Sequence, residues 1–378
     1  MLGVYVHFPF CHRLCPFCDF YVSTNTDTQL IYEYTQALVS EIYLFEQYQW
    51  KRQKLSSVYI GGGTPSLIPA FLIDKVLMKL SQVFIFSSET EITLECNPED
   101  VHLDKALDWK RLGINRISLG VQSMDDRQLQ RLGRSHCEKD VAESIRILRK
   151  AGFGNISVDL MYGLEHQTLD SWKDTLEKVL MFQPEHVSCY QLTIEEKTSF
   201  HQQLRQKKLH LPEDQDIANM MLTGRDFLAD RAYQNYEVSN SARDGFASVH
   251  NMGYWTAQEY WGLGVSSHSF QNAKSLRRFA NPRSLKQYML SMQKGSTCFE
   301  EEPLEHQTLW KDLLLTGLRL EKGISLDKLQ SSFGSIPEVF KNNIESLVQS
   351  HLEYRNGNLA IRSQYLPILN EVLTRIFD

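Results

Sequence analysis

Short apolar stretches alternate with longer amphipathic stretches through the first half of the chain, and this alternation limits the fold more than any other sequence feature. Most of the short stretches are rich in β-branched and aromatic residues, which favour strands. Six strands are predicted: Gly3–Phe8, Ser57–Ile60, Glu91–Leu94, Arg116–Leu119, Ser157–Leu160 and His186–Leu192. Six successive βα units predict an α/β fold with a parallel sheet and covering helices.

The longer stretches repeat apolar residues at steps of three or four, which indicates one face of a helix. In the stretch Thr28–Trp50 these residues are Leu30, Tyr34, Leu38, Ile42 and Phe45. The same pattern covers Pro69–Ser81, Asp140–Ala151 and Thr168–Phe182. Periodicity does not separate an incomplete barrel of six units from a doubly wound open sheet. In both folds, ligands bind at the carboxyl ends of the strands.

The alternation stops near residue 200, where a predicted helix (Pro212–Arg231) precedes a predicted strand (Tyr236–Ser239). From about Glu300 the pattern is mostly helical. Asn356-Gly357-Asn358 predicts a tight hairpin turn, as in a winged-helix-like unit. We therefore expect a barrel over 1–235, a connecting region over 236–299 and a helical, winged-helix-like domain over 300–378.

Composition excludes several classes of protein. The 378 residues carry 40 Lys and Arg against 46 Asp and Glu, so a broad basic surface for nucleic acid is not expected. No apolar run approaches the roughly 20 residues of a membrane span. The first residues also lack the basic start of a signal peptide. We therefore expect a cytoplasmic protein with reduced thiols, and the odd count of seven cysteines disfavours a disulfide framework.

Three of the cysteines, Cys11, Cys15 and Cys18, lie close together directly after the first predicted strand. A compact loop with this spacing can hold three corners of an iron–sulfur cube and leave one iron open to a substrate. Zinc would normally require a fourth ligand, which His7 or His12 could supply. The spacing favours a [4Fe–4S] cluster. The remaining cysteines are scattered and are expected to be small buried side chains: Cys96, Cys137, Cys189 and Cys298.

The segment Tyr5-Val6-His7-Phe8-Pro9-Phe10-Cys11-x3-Cys15-x2-Cys18 resembles the signature of the radical S-adenosylmethionine superfamily. Its flanks resemble the branch that contains oxygen-independent coproporphyrinogen III oxidase. The resemblance implies a partial (β/α)6 TIM-like barrel. It also implies that the amino and carboxylate groups of S-adenosylmethionine chelate the open iron of the cluster.

Further residues at the predicted strand ends match contact positions for S-adenosylmethionine. The glycine run before Thr64 could let the backbone approach a ligand, or could be only a tight turn. A charge inside a strand, as at Asp159, is costly unless it is paired, for example with Arg116 or Arg134. The resemblance implies cofactor contacts at Tyr5, Phe17, Gly62, Gly63, Thr64, Glu95, Gln122, Arg134 and Asp159.

Two features depart from the oxidase. The oxidase has a fourth cysteine two residues after the third, where this chain has Phe20. It also carries a long extension before the cluster, whereas ten residues precede Cys11 here. Both departures disfavour decarboxylation of a porphyrinogen.

The segment His250-Asn251-Met252-Gly253-Tyr254-Trp255 carries a further candidate site. Imidazole is a common axial ligand of haem iron, and aromatic rings suit a macrocycle. The alternative is a structural role, in which the histidine is hydrogen-bonded inside an aromatic core. The pattern resembles the haem-chaperone branch of the same family, which also lacks the fourth cysteine and the extension. His250 is therefore the predicted haem-binding residue, and His268 is a second candidate.

These observations predict a haem chaperone that binds a [4Fe–4S] cluster, S-adenosylmethionine and haem. It would pass haem to an acceptor protein, and a membrane-associated respiratory enzyme is one candidate acceptor. The alternatives are oxygen-independent coproporphyrinogen III oxidase and a radical enzyme with another substrate. The sequence leaves the oligomeric state open.

Overall fold

The protein is described here by a computed structural model covering residues 2–45, 53–272, 276–297 and 299–378. All six predicted strands of the first half are present. They are β1 (Leu2–Phe8), β2 (Leu55–Gly62), β3 (Glu91–Cys96), β4 (Arg116–Gln122), β5 (Ile156–Tyr162) and β6 (His186–Gln191). The intervening helices are α1 (Thr28–Phe45), α2 (Ala70–Val83), α3 (Leu103–Arg111), α4 (Asp126–Arg131), α5 (Glu138–Lys150) and α6 (Leu169–Leu180). The end of the predicted helix Thr28–Trp50 lies outside the described residues.

The order of the parallel strands distinguishes the two folds that the sequence left open. Strands β1 to β6 pair in their order along the chain, each parallel to the next. A doubly wound sheet reverses its direction after the first strands. The continuous order is that of an incomplete (β/α) barrel, which confirms the predicted fold class.

Alternate residues of each strand face opposite sides of the sheet, and the two sides differ in chemistry. On β5, Val158 and Leu160 are fully buried under the helices. The neighbouring Ser157 and Asp159 share the other face, and Asp159 lines a cavity inside the barrel. Apolar contacts therefore hold the helices to the sheet, while polar side chains fill the barrel.

The second half of the chain continues the same sheet and adds a helical region. Its elements are α7 (Ser199–Arg205), α8 (Asp214–Ala229), β7 (Gln234–Asn235), β8 (Asn240–Ala242), α9 (Val249–Trp255), β9 (Tyr260–Leu263), β10 (His268–Gln271), β11 (Arg277–Ala280), α10 (Leu285–Gln293), β12 (Glu300–Pro303), α11 (His306–Gly317), α12 (Leu326–Phe333), α13 (Glu338–Leu347), β13 (Leu352–Arg355), β14 (Asn358–Ile361) and α14 (Leu369–Phe377). Strand β9 pairs parallel with β1, and β8 pairs antiparallel with β6. No helix among the described residues is both long and apolar enough to cross a membrane.

The predicted strand Tyr236–Ser239 is wrong, because this segment connects β7 to β8. The Glu237 carboxylate accepts a hydrogen bond from the Ser239 N–H at 3.0 Å, which closes a turn. The predicted hairpin turn is confirmed between β13 and β14. Asn356 and Gly357 have φ values of 52° and 82°, as a type I′ turn requires at both central positions. The division of the chain at residues 235 and 299 stays a prediction.

Helix α9 closes the amino end of the barrel. The N–H groups of Val249 and His250 donate to the Glu91 carboxylate at 3.0 and 3.1 Å. Glu91 is the first residue of β3, so the start of α9 lies beneath the sheet. The buried Arg116 lies 4.0 Å from the same carboxylate. A negative charge at a helix N-terminus is favourable, and the Ser248 hydroxyl also caps this helix, so both groups contribute to its start here.

Candidate functional site

A cavity of about 700 Å³ opens at the carboxyl ends of the strands. It extends from the loop that follows β1 to the polar interior of the barrel. All the predicted site residues line it except Tyr5 and His250. The cavity lies where ligands bind in barrels of this kind.

The loop after β1 brings the three clustered cysteines to the cavity wall. Hydrogen bonds between the backbones of Cys11 and Ser23 (3.0 Å) and of Ser23 and Pro9 (2.6 Å) close the base of the loop. The Cys18 N–H donates to the Cys15 carbonyl at 3.1 Å and forms a turn. Each of the three cysteines is partly exposed, so its sulfur is accessible from the cavity.

Neighbouring polar groups point at two of these sulfurs. The Thr64 hydroxyl donates to Cys11 Sγ at 3.4 Å, and Arg134 Nη1 donates to Cys15 Sγ at 3.8 Å. Burial raises the pKa of the Cys11 thiol to about 11, and the Thr64 hydrogen bond opposes that shift. The same donors would stabilise thiolates or sulfur ligands once a metal had displaced the protons.

The arrangement of the sulfurs fits a polynuclear cluster better than one metal ion. A single ion needs its ligand atoms to converge, and among the described residues the three cysteines do not form a group within 4.8 Å. A cubane holds each cysteine on a different iron. His7 is not available as an additional ligand, because its Nδ1 and Nε2 lie 3.0 Å from the Tyr5 hydroxyl and the Tyr21 carbonyl.

The glycine run at the end of β2 lines the cavity, and packing against β1 and the residues after it explains why glycine is needed there. Gly62 has a φ of 116°, a conformation that other residues rarely adopt. A Cβ at Gly63 would lie 2.6 Å from the Phe10 carbonyl oxygen. The N–H groups of Gly63 and Thr64 already donate to the Phe8 and Phe10 carbonyls at 2.7 and 2.8 Å. The run therefore joins the cysteine loop to the strand ends.

Glu95 is a buried acceptor on the cavity wall. Its carboxylate accepts hydrogen bonds from the Tyr59 hydroxyl at 2.8 Å and from the Gly62 N–H at 3.1 Å. Burial raises the pKa of Glu95 to about 7, and the nearby Asp159 adds to the shift. A cationic ligand in the cavity would favour the charged carboxylate.

Asp159 lies deeper in the barrel, where hydroxyls satisfy it in place of a salt bridge. The Ser118 and Ser157 hydroxyls donate to its two oxygens at 2.8 and 3.2 Å. Among the ion pairs of the described residues, Arg116 has Glu91 as its partner. Burial raises the pKa of Asp159. The predicted alternative, a direct salt bridge to Arg116 or Arg134, is not the arrangement seen here.

Arg134 crosses the cavity wall toward the cysteine loop. Its Nη2 donates to the Asn97 amide oxygen and, at 2.9 Å, to the Gly120 carbonyl. Its Nε is buried and has no hydrogen-bond partner among the described residues. An unpaired buried donor beside a cavity is costly, and a ligand with an acceptor group could satisfy it.

Gln122 and Phe17 both line the cavity. Gln122 ends β4 after a register irregularity and has a φ of 68°. Such strain in a residue other than glycine is often found where a side chain is held toward a ligand. Phe17 packs on a small apolar cluster that includes Met161 and so anchors the cysteine loop.

Tyr5 and His250 lie below the cavity and do not line it. The Tyr5 ring stacks on Tyr59, with 6.1 Å between centroids. Tyr59 stacks in turn on His250 at 5.1 Å. Tyr59, which contacts both the cavity and this stack, is a site residue that the sequence reasoning missed.

Both ring nitrogens of His250 are engaged in this conformation. Nδ1 lies 2.8 Å from the Ser57 hydroxyl and Nε2 lies 2.9 Å from the Tyr254 hydroxyl. The residue is buried, and this burial lowers its pKa to about 3, so the imidazole is neutral. The predicted haem ligation therefore lacks a free nitrogen in this structure. His268, the second candidate, is exposed at the start of β10 and does not line the cavity.

Several cavity residues escaped the sequence reasoning because they lack a motif. Asn97 links Arg134 to Thr64, since its amide nitrogen donates to the Thr64 hydroxyl at 3.4 Å. Glu99 accepts hydrogen bonds from Ser135 at 2.6 Å and pairs with His136 at 3.1 Å. Polar residues at alternate positions of a strand are the signal that could have identified inward-facing groups such as Ser118.

Comparison with known proteins adds an independent finding. The sequence profile of the Radical SAM superfamily matches residues 5–179. The chain is 33% identical over 355 residues to the Heme chaperone HemW of Lactococcus lactis, which covers 94% of this chain and 91% of that protein. It is 32% identical over 376 residues to the Heme chaperone HemW of Bacillus subtilis, which covers 98% of each.

Among solved structures, the coproporphyrinogen III oxidase HemN of Escherichia coli matches with a TM-score of 0.83. The match covers 99% of this chain and 89% of that chain at 22% identity. At this identity the likeness establishes a shared fold, with the barrel and the helical C-terminal region in common.

Proposed function

The chain belongs to the radical SAM superfamily and, within it, to the family of the heme chaperones HemW, and on this basis we propose that it is a haem chaperone with an iron–sulfur cluster. Cys11, Cys15 and Cys18 would ligate a [4Fe–4S] cluster, and S-adenosylmethionine would bind at its open iron. The observation that carries the proposal is the convergence of these thiols with buried, under-satisfied polar groups on one cavity.

The cavity wall offers complementary groups for the parts of S-adenosylmethionine. Glu95 would accept hydrogen bonds from cationic or hydroxylated parts of the cofactor, while the free Nε of Arg134 would donate to one of its acceptors. Asp159 would accept from the nucleoside deeper in the barrel, beside Gln122. When bound, the cofactor would supply the ligands of the open iron, and these residues would orient it and exclude water.

Haem binding and transfer form the second half of the proposal. The similarity of the chain to the heme chaperones HemW supports haem as the ligand, and the acceptor would be a protein that requires haem. His250 would hold the haem iron through Nε2, which in this structure lies 2.9 Å from the Tyr254 hydroxyl. On this proposal haem would bind at α9, at the opposite end of the barrel from the cysteines.

Coproporphyrinogen III oxidase activity is the second candidate, because the fold is shared with HemN. Phe20 stands where the oxidase has its fourth cysteine, and its side chain is 72% exposed at the cavity mouth. A phenylalanine side chain has no thiol, so it could not replace a cysteine that the oxidase reaction requires. The substitution favours the chaperone.

One anaerobic experiment separates the two functions. The cluster is reconstituted, and haem and coproporphyrinogen III are offered to the same protein with S-adenosylmethionine and a reductant. We expect stable haem binding, haem transfer to an apo-haemoprotein and no protoporphyrinogen. Formation of protoporphyrinogen would overturn the chaperone assignment.

The cluster ligands are tested by substitution. Replacing Cys11, Cys15 or Cys18 with Ser should abolish the roughly four irons per chain of a cubane. The matched control replaces Cys96, Cys137, Cys189 and Cys298 together. Loss of iron from that quadruple variant in folded form would contradict the three-cysteine assignment.

A further inference from the structure

Two histidines and a glutamate converge on the rim of the barrel, outside the cavity already described. Glu165 and His166 belong to the loop after β5, and His210 lies between α7 and α8. One ligand atom from each of the three residues lies within 4.8 Å of the other two. None of the three lines the cavity, so the group is separate from the proposed cofactor site.

The two imidazoles face solvent and are available for a ligand. Their ring centroids are 6.0 Å apart and their planes differ by 14°. Both residues are exposed, and within the described part of the chain neither ring forms a side-chain hydrogen bond. Within the described residues these two imidazoles therefore differ from His7, His136 and His250, whose ring nitrogens all form hydrogen bonds.

Arg131 and the His210 backbone N–H orient the Glu165 carboxylate and leave Oε1 accessible on the side of the two imidazoles. Arg131 Nε donates to Oε2, and the His210 N–H donates to Oε1 at 3.0 Å. His210 Nδ1 lies 3.9 Å from Oε1. A carboxylate oxygen has more than one lone pair, so Oε1 can accept the N–H and also bind a cation. The arginine charge lies on the opposite oxygen.

The two segments that supply these ligands are anchored by their neighbours. Leu164 and Leu209 are buried in the small apolar cluster on which Phe17 packs. His166 has a φ of 57°, a left-handed conformation that turns the chain after Glu165. The backbone next to the three ligand residues is therefore held in place by buried side chains.

We propose that Glu165, His166 and His210 bind a divalent transition-metal ion of the zinc type. Imidazole nitrogen and carboxylate oxygen are the ligands that zinc takes in sites with three protein ligands. Arg131 and the His210 N–H would orient the carboxylate, as outer groups commonly do in metal sites. The ion would join the β5 loop to the segment before α8, next to the cluster that supports Phe17.

The test uses cluster-loaded protein, in which iron already occupies the three cysteines. Equilibrium dialysis against Zn²⁺, followed by metal analysis, should find about one zinc per chain. X-ray absorption at the zinc edge should show nitrogen and oxygen ligands at about 2.0–2.1 Å. A shell of sulfur at about 2.3 Å would place the zinc on cysteine and overturn the proposal.

Substitutions identify the ligands. His166→Ala and His210→Ala should each weaken zinc binding at least tenfold, and the melting temperature of the zinc-free protein checks their folding. His306→Ala, at an exposed histidine of α11, is the matched control and should bind zinc as the parent does.

The double variant His166→Ala/His210→Ala decides the outcome. Zinc binding by this variant with parental affinity would overturn the proposal. Retained zinc binding with lost haem binding would do the same, because it would assign the imidazoles to haem. Haem binding and cluster content should otherwise match the parent, so failure of this site leaves the chaperone proposal intact.

Discussion

At the scale of single residues, the ionisation of Glu95 is expected to make ligand binding in the cavity depend on pH. Its pKa is raised to about 7, mainly by burial, so near neutral pH it is partly protonated in the absence of a ligand. In the proposed cofactor site, only the carboxylate form would attract the cationic groups of S-adenosylmethionine. Affinity for the cofactor should therefore rise as pH increases through about 7.

We expect cofactor affinity in cluster-loaded protein to increase several-fold between pH 6 and pH 8. Glu95→Gln should weaken binding about tenfold and remove most of this pH dependence, because the amide does not titrate. Isothermal titration at both pH values measures the effect. Glu89→Gln, at an exposed site paired with Lys54, is the control. Equal pH dependence in Glu95→Gln and the parent would contradict the role of Glu95.

His250 combines a structural position with a predicted ligand role, and one substitution addresses both. His250→Ala removes the hydrogen-bond partner of Ser57 and Tyr254 and leaves a cavity beneath Tyr59. We expect a loss of unfolding free energy of about 2–4 kcal/mol, measured by chemical denaturation. An unchanged stability would show that α9 does not depend on this side chain.

The haem spectrum of the same variant, recorded well below its melting temperature, tests axial ligation. Ligation by His250 predicts an altered Soret band with an intact iron–sulfur spectrum. Tyr254→Phe is the matched control, because it frees Nε2 and keeps the imidazole. If His250 binds iron, this control should bind haem more tightly than the parent. His268→Ala checks the second candidate.

At the scale of elements, a carboxylate at the start of β3 holds the N-terminus of α9, in addition to the Ser248 hydroxyl that caps this helix. Glu91 accepts from the N–H groups of Val249 and His250 and lies beside Arg116. Glu91→Gln removes the negative charge from the helix N-terminus and leaves the arginine without its partner.

We expect Glu91→Gln to lower the free energy of unfolding by roughly 1–3 kcal/mol. Denaturant unfolding, followed by circular dichroism, measures the change. Glu143→Gln, at an exposed ion pair with Arg146 on α5, should change stability by less than about 0.5 kcal/mol and is the control. Equal effects of the two substitutions would contradict the capping role of Glu91.

The elements also show where sequence reasoning succeeds. The six strands and the helices α2, α5 and α6 were predictable, because apolar periodicity reports directly which face packs on the core. The segment Tyr236–Ser239 was not, since a turn closed by Glu237 depends on a hydrogen bond that leaves no periodic trace. The position of α9 was not predictable either, because the hydrogen bond between His250 and Glu91 joins residues far apart in the chain.

At the scale of the whole molecule, a buried carboxylate affects stability across the acidic range. Glu41 accepts hydrogen bonds from Asn281, Tyr288 and the Gly264 N–H at 2.7 to 2.8 Å. Burial nevertheless raises its pKa to about 7. The folded protein therefore holds this proton more tightly than the unfolded chain does. Its contribution to stability falls as pH rises from about 4.5 to about 7 and is constant above.

Glu41→Gln should remove this contribution to the pH dependence. Relative to the variant, the parent should lose up to about 3 kcal/mol of stability between pH 4.5 and pH 7. Thermal melts at pH 5, 6, 7 and 8 measure the difference between the two proteins. Comparison with the variant cancels the opposite trend of His7 and His250, whose pKa values are lowered by burial to about 4 and about 3. A constant difference between parent and variant across this range would contradict the prediction.

The site as a whole was predictable to the extent that it follows the chain locally. The cysteines and the glycine run are sequence motifs on consecutive strand ends, so their meeting at one cavity follows from the barrel. The contact between Tyr59 and His250 joins β2 to α9 through rings that no motif connects. A contact between residues so far apart in the sequence could be recognised only in the folded structure.

The parallel pairing of β9 with β1 has a consequence for folding during translation. Its register joins Gly3 to Tyr260, so the first strand leaves the exit tunnel long before its second neighbour is synthesised. During that interval the nascent chain carries an open strand edge with apolar residues such as Val4 and Val6. A polypeptide released prematurely before residue 260 would keep that edge and be prone to aggregation. Synthesis of β9 is thus required before that edge of the sheet can be covered.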